Sequence, residues 1–117
     1  MHYVVAALLF CQMFLFSHVS WADEQEIQYL LTTLSTSECI FSRNGKQYQG
    51  PEASSHLQRK YSHVKKRIHT TEDFIDKVAT KSSISGKKYE VNCAGTAQPT
   101  GSWLYGILSD YRKRGLK

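Results

Sequence analysis

The stretch Cys39-Ile40-Phe41-Ser42-Arg43-Asn44-Gly45-Lys46-Gln47-Tyr48-Gln49-Gly50-Pro51-Glu52 decides the fold. Asn-Gly is the dipeptide that best tolerates the positive φ angles of a two-residue hairpin turn, and here it separates two short strand-like runs. In that register Phe41 faces Tyr48 and Arg43 faces Lys46. Cys39 lies on the Phe41 side, because side chains alternate along a strand. Gly50-Pro51-Glu52 then opens a helix: the fixed φ of proline suits the first turn, and a carboxylate there complements the helix dipole.

Working outward, Ala53, Leu57, Tyr61, Val64 and Ile68 recur at helical spacing and give this helix its apolar stripe. Thr70 followed by Asp73 resembles a capping box, and Phe74, Ile75, Val78 and Ala79 supply the buried face of a short third helix. Ser82 to Gly86 breaks the periodicity. Tyr89, Val91 and Cys93 then alternate with Lys88, Glu90 and Asn92, which predicts a third strand over 88–93. Upstream, Ile27, Leu30, Leu31 and Leu34 predict an amphipathic helix over 24–35. Downstream, a loop over 94–101 leads to a last helix over 102–112, carrying Trp103, Leu104, Ile107, Leu108 and Tyr111. The expected architecture is an α+β domain of about four helices packed on a small three-stranded antiparallel/mixed sheet in the order 2-1-3, with the first strand central. No internal repeat is legible in the residues.

Residues 1–22 read as an export signal: a nearly continuous apolar run from Val4 to Val19, then Ser20-Trp21-Ala22 with small residues at the two positions a signal peptidase reads. Cleavage before Asp23 is expected, leaving residues 23–117 as a single domain with no stable transmembrane segment. The rival is an uncleaved anchor, since the run is close to the lower limit for spanning a bilayer. Of the 3 cysteines, Cys11 leaves with the signal. Cys39 and Cys93 fall on the core-facing parity of their strands, so a disulfide between them is expected, as suits an oxidising compartment. In the chain-entropy model such a closure stabilises by about 4 kcal/mol. The absence of Cys-x-x-Cys argues against redox catalysis.

All 15 Lys and Arg and all 10 Asp and Glu lie after Ala22, so the exported chain keeps a formal charge of +5. That balance favours anionic partners, either an envelope protein or an anionic surface such as lipid headgroups; nucleic acid is not expected as the partner of an exported chain.

Four motifs occur in a fixed order: Phe41-Ser42-Arg43-Asn44-Gly45-Lys46-x-Tyr48, Glu52-Ala53-x-x-His56-Leu57, Thr71-Glu72-Asp73-Phe74-Ile75 and Ser82-Ser83-Ile84-Ser85-Gly86-Lys87-Lys88-Tyr89. Together they resemble the YfeK-like family, small exported bacterial proteins of unknown function. The resemblance covers most of the chain after the leader. It implies a periplasmic setting in a Gram-negative bacterium and supplies no activity.

Two places could carry chemistry. Glu52 and His56, with Arg59 and Lys60 beside them, form a candidate functional surface on the second helix. Glu52, His56 and His63 share one side of it, but lack the tighter His-x-x-x-His spacing of helical zinc sites, so no metal or other cofactor is expected. Ser85, Gly86, Lys87 and Lys88 form a candidate anion-binding nest, in which successive backbone N–H groups would be reinforced by two lysines. Nucleophile, base and orienting group do not occur together, so no catalytic residue is assigned. The expected function is a non-enzymatic module binding a partner protein or an anionic envelope component. The alternative is a small hydrolase or transferase using His56 and the loop from Ser82 to Ser85.

Overall fold

The computed structural model describes residues 20–115. The expected leader falls almost wholly on residues 1–19, outside the described residues. The elements are α1 (Trp21–Thr36), β1 (Ile40–Arg43), β2 (Lys46–Gln49), α2 (Gly50–Val64), α3 (Thr71–Lys77), β3 (Glu90–Cys93), β4 (Thr96–Pro99) and α4 (Thr100–Gly115), with a 3-10 turn at Lys65–Arg67. Ser20 caps α1 by accepting a hydrogen bond from the Asp23 backbone N–H. The expected cleavage point before Asp23 lies inside that first turn.

The architecture is α+β, with four helices and one antiparallel sheet in the order β2-β1-β3-β4. The order 2-1-3 and its antiparallel pairings hold within it, but the three-stranded sheet is corrected to four strands, because residues expected to be a loop form β4. Ala94 and Gly95 make a hairpin turn at φ 54° and 89°. Alanine is not a residue that signals a positive φ, and Thr96-Ala97-Gln98-Pro99 has neither alternation nor strong strand propensity. Pairing to β3 through the register Glu90↔Pro99 to Cys93↔Thr96 imposes the strand. Its proline is tolerated because β4 is an edge. β4 covers the edge of β3 that the three-stranded order would have left open.

The strand-turn-strand-helix unit occurs twice, and each position i of the first unit corresponds to i+50 of the second. The central register obeys the same relation. Phe41↔Val91 sits on a pseudo-twofold axis, and Ile40↔Asn92 and Ser42↔Glu90 are images of each other. The sequence hides this repeat because matched positions rarely match in residue: Asn44 answers Ala94, and Gly50 answers Thr100.

The helices cover one face of the sheet. Phe41 and Val91 are buried against them with Ile27, Leu30, Leu34, Leu57, Phe74 and Leu104, while Glu90 and Asn92 face solvent as their parity requires. Cys39 and Cys93 are disulfide-bonded, their Cα atoms 4.4 Å apart, one step beyond the Ile40↔Asn92 pair. That spacing is the one expected for the close, non-hydrogen-bonded pairs of an antiparallel ladder.

Two further contacts lock the helices. A Cβ on Gly50 would lie 2.5 Å from the Leu34 carbonyl oxygen, so only glycine lets α2 start against the end of α1. On α4, the Arg112 guanidinium donates to Glu26 of α1 at 2.8 and 2.9 Å and to Glu72 of α3 at 2.7 Å. Hydrogen bonds from Arg112 hold both carboxyls below their usual pKa, with Thr71 donating to Glu26 as well. This junction stabilises the fold above the ordinary carboxylate range and is lost as the pH falls through the depressed values.

Candidate basic anion site

Continuing the β1–β3 register past Ser42↔Glu90 sets Arg43 opposite Tyr89, the pseudo-twofold image of the disulfide. Phe41 and Arg43 share strand parity, so an arginine points to the side that otherwise builds the core. From α2, His56 and Lys60 reach the same place. The His56 ring packs edge-on to Tyr89 at 6.1 Å, and its Nε2 lies 3.4 Å from the Tyr89 hydroxyl and 3.5 Å from Arg43 Nη1. Since arginine can only donate, Nε2 is the acceptor and carries no proton. Lys60 Nζ donates to the Tyr89 hydroxyl at 3.3 Å and to the Lys81 carbonyl at 2.8 Å. Arg43 donates to the Tyr48 hydroxyl at 3.1 Å.

The electrostatics follow from this crowding. Burial, then Arg43, Lys60 and Arg59, lower the His56 pKa, keeping the ring neutral near pH 7. Burial and Arg43 lower that of Lys60. Burial raises that of Tyr89, so its hydroxyl stays protonated.

Two cavities meet at these side chains. An outer bowl of about 280 Å³ is lined by Arg43, His56, Arg59, Lys60 and His63, with Ser82, Ser83, Ile84 and Tyr89 completing its wall; no carboxylate belongs to that lining. A narrower slot of about 40 Å³ shares Arg43, His56 and Tyr89 and runs inward between Phe41, Ala53 and Leu57.

A model of a family of unknown function (DUF5329) matches residues 21–112. The chain belongs to that family. It is also 42% identical, over 74 residues, to the uncharacterized protein YfeK of Salmonella typhimurium, a match covering 62% of this chain and 62% of that relative. The aligned part is thus less than two thirds of the relative's length. No solved structure matches the chain. The resemblance drawn from the four motifs therefore holds, and all four lie within the family match.

In this family member the structure brings together only part of the expected surface. His56 and Lys60 line the bowl and Arg59 stands exposed at its rim, but Glu52 stays at the start of α2, accepting from the Gln49 backbone N–H at 3.3 Å. It is a capping residue there. The loop from Ser85 to Lys88 spends its donors on itself. Ser85 N–H donates to the Ser82 hydroxyl, Gly86 N–H to the Ser82 carbonyl and Lys87 N–H to the Ser85 hydroxyl. Three of the nest's N–H groups are thereby engaged. Ser82 is buried, and its oxygen also accepts from Ile84 N–H and the Asn44 side chain, so it ties the loop to the first hairpin turn.

Arg43, Tyr48 and Tyr89 were not among the residues expected from sequence. One signal was available: the parity that puts Phe41 and Cys39 inward puts Arg43 inward too. Among the described residues, no group of three or more His, Cys, Asp or Glu side chains converges to hold a metal ion.

Proposed function

We propose that the protein is a non-catalytic binding module of the Gram-negative periplasm that holds an anionic group of an envelope component in the bowl. One observation carries this reading: Arg43, Arg59 and Lys60 converge with two histidines on a concave surface whose lining contains no carboxylate. Elsewhere in the molecule the half-exposed guanidinium of Arg112 is matched by Glu26 and Glu72. Cations left unneutralised and partly desolvated attract an anion more strongly than the same charges dispersed in water. The neutral histidine suits this role, because its ring adds a polar wall without competing for protons.

The hydrolase alternative lacks support in the geometry. Ser82 uses its hydroxyl as an acceptor for three donors, and the polar neighbours of His56 are Arg43 and Tyr89, neither of which can orient a general base as a carboxylate would.

The test is heteronuclear NMR of the purified, oxidised protein with inorganic phosphate and with vesicles containing phosphatidylglycerol. Resonances of Arg43, His56 and Lys60 are expected to move, less so as salt rises, and those of His56 not to move in Lys60→Met combined with Arg43→Met. If neither probe perturbs these residues, the binding reading is wrong.

A further inference from the structure

We infer that the bowl and the slot form one bipartite site for a small organic anion, a carboxylate or phosphate monoester carrying a short tail with a polar end. This rests on the bowl being an anion site and specifies what the anion is attached to.

The two cavities are continuous in chemistry, because Arg43, His56 and Tyr89 belong to both walls. An anion paired with Arg43 and Lys60 in the bowl therefore lies against side chains that also wall the slot. The slot walls are apolar, built by Leu34, Phe41, Ala53 and Leu57. Its volume of about 40 Å³ holds a tail of roughly two or three heavy atoms and excludes an acyl chain. A lipid tail is thus excluded as the inner occupant.

Thr100 supplies the second recognition element. It lines the slot, is 2% exposed, and its hydroxyl has no hydrogen-bond partner among the described residues. Buried hydroxyls are almost always paired, so an unpaired one beside a cavity marks where a ligand's polar atom completes the set. The fold explains its position: Thr100 is the image of Gly50, where a side chain would strike backbone. At the second unit the same position carries a threonine, which lines the slot beside residues of the first unit.

The ligand class is tested by calorimetric titration of the purified, oxidised protein with inorganic phosphate, acetate, propionate, butyrate, hexanoate, pentanoate and 4-hydroxybutyrate. Phosphate and acetate report the bowl alone. Affinity is expected to rise roughly fourfold per added methylene up to butyrate and to fall at hexanoate. 4-Hydroxybutyrate is expected to bind roughly fivefold or more tighter than its isostere pentanoate, and Thr100→Val is expected to erase that preference. Ala53→Leu fills the slot, and should reduce butyrate to the acetate level while leaving phosphate binding unchanged. Both variants are checked for native thermal unfolding, and each can stand in for the other if one fails to fold. Binding of phosphate and acetate with a flat chain-length series would overturn the bipartite site and leave the bowl. Absence of binding by every probe would overturn both.

Discussion

The units at 40–64 and 90–115 share a backbone plan and differ in what they do with it. At one end of the β1–β3 ladder, Cys39 and Cys93 are covalently joined; at the other, the matching pair is Arg43 and Tyr89. On α2, Lys60 reaches into the bowl, whereas the corresponding residue of α4 is Asp110, and Arg112 of α4 is held between two carboxylates. The second unit has its arginine paired with carboxylates, and the first leaves Arg43 and Lys60 without one among the described residues. A pseudo-symmetric scaffold can therefore place stability at one end of its ladder and recognition at the other, because the two ends share geometry without sharing side chains.

The comparison breaks most severely if the covalent end is removed. Cys39→Ala with Cys93→Ala is expected to cost about 4 kcal/mol in denaturant titration. A cost under about 1 kcal/mol would show that the ladder needs no staple.

Gly50→Ala asks whether the two helix starts are as different as their images suggest. The new Cβ would meet the Leu34 carbonyl at 2.5 Å, and a backbone group has little room to yield. The expected loss is about 2 to 3 kcal/mol by thermal or chemical unfolding. Neutral behaviour would mean that α1 and α2 separate easily.

The turns differ as well. Asn44 of the first is tied to Ser82 and Ser85, while the second turn is supported locally by Asn92 accepting from Gly95 N–H. Ser82→Ala leaves Ile84 and Ser85 N–H without their acceptor, and is expected to cost about 1 to 2 kcal/mol and to speed amide exchange in the loop. Unchanged exchange at Ile84 and Ser85 would refute the tether. Conversely, Ala94→Asn gives the second turn the residue of the first at nearly the same φ, 54° against 52°. It is expected to stabilise by about 0.5 kcal/mol, and a loss would show that the turns are not equivalent.

The smallest expected effect lies at the open end. Because burial and the surrounding cations depress the His56 pKa, the neutral ring is favoured in the folded protein. Its contribution to stability is present above the ordinary histidine value of 6.5 and is lost as the pH falls through the lower folded value. An NMR titration of the ring should show a midpoint below 6.5, moving up in Lys60→Met. A midpoint at or above 6.5 would mean that neither burial nor the cations act on this ring as described.

The elements whose periodicity was strong were legible. Ile27, Leu30, Leu31 and Leu34 named α1, Asn44-Gly45 named the first hairpin, and Cys39 and Cys93 named their own bond through strand parity. β4 was not legible, since neither Ala94-Gly95 nor Thr96-Ala97-Gln98-Pro99 carries a local preference for what it does. The site was half legible. His56, Arg59 and Lys60 stand on one helix and could be grouped by spacing, but Arg43, Tyr89 and Thr100 arrive from three other elements.

Local periodicity, turn chemistry and cysteine parity are properties of neighbouring residues, and from them the chain by itself determined its α+β class, four helices, two of its sheet pairings and its disulfide. The fourth strand, the pseudo-twofold and the meeting of Arg43 with His56, Lys60 and Tyr89 depend on contacts between segments far apart in sequence. Only the tertiary structure decided them, because a strand of weak propensity takes its shape from the ladder it joins, and a charge acquires its role from what is packed around it.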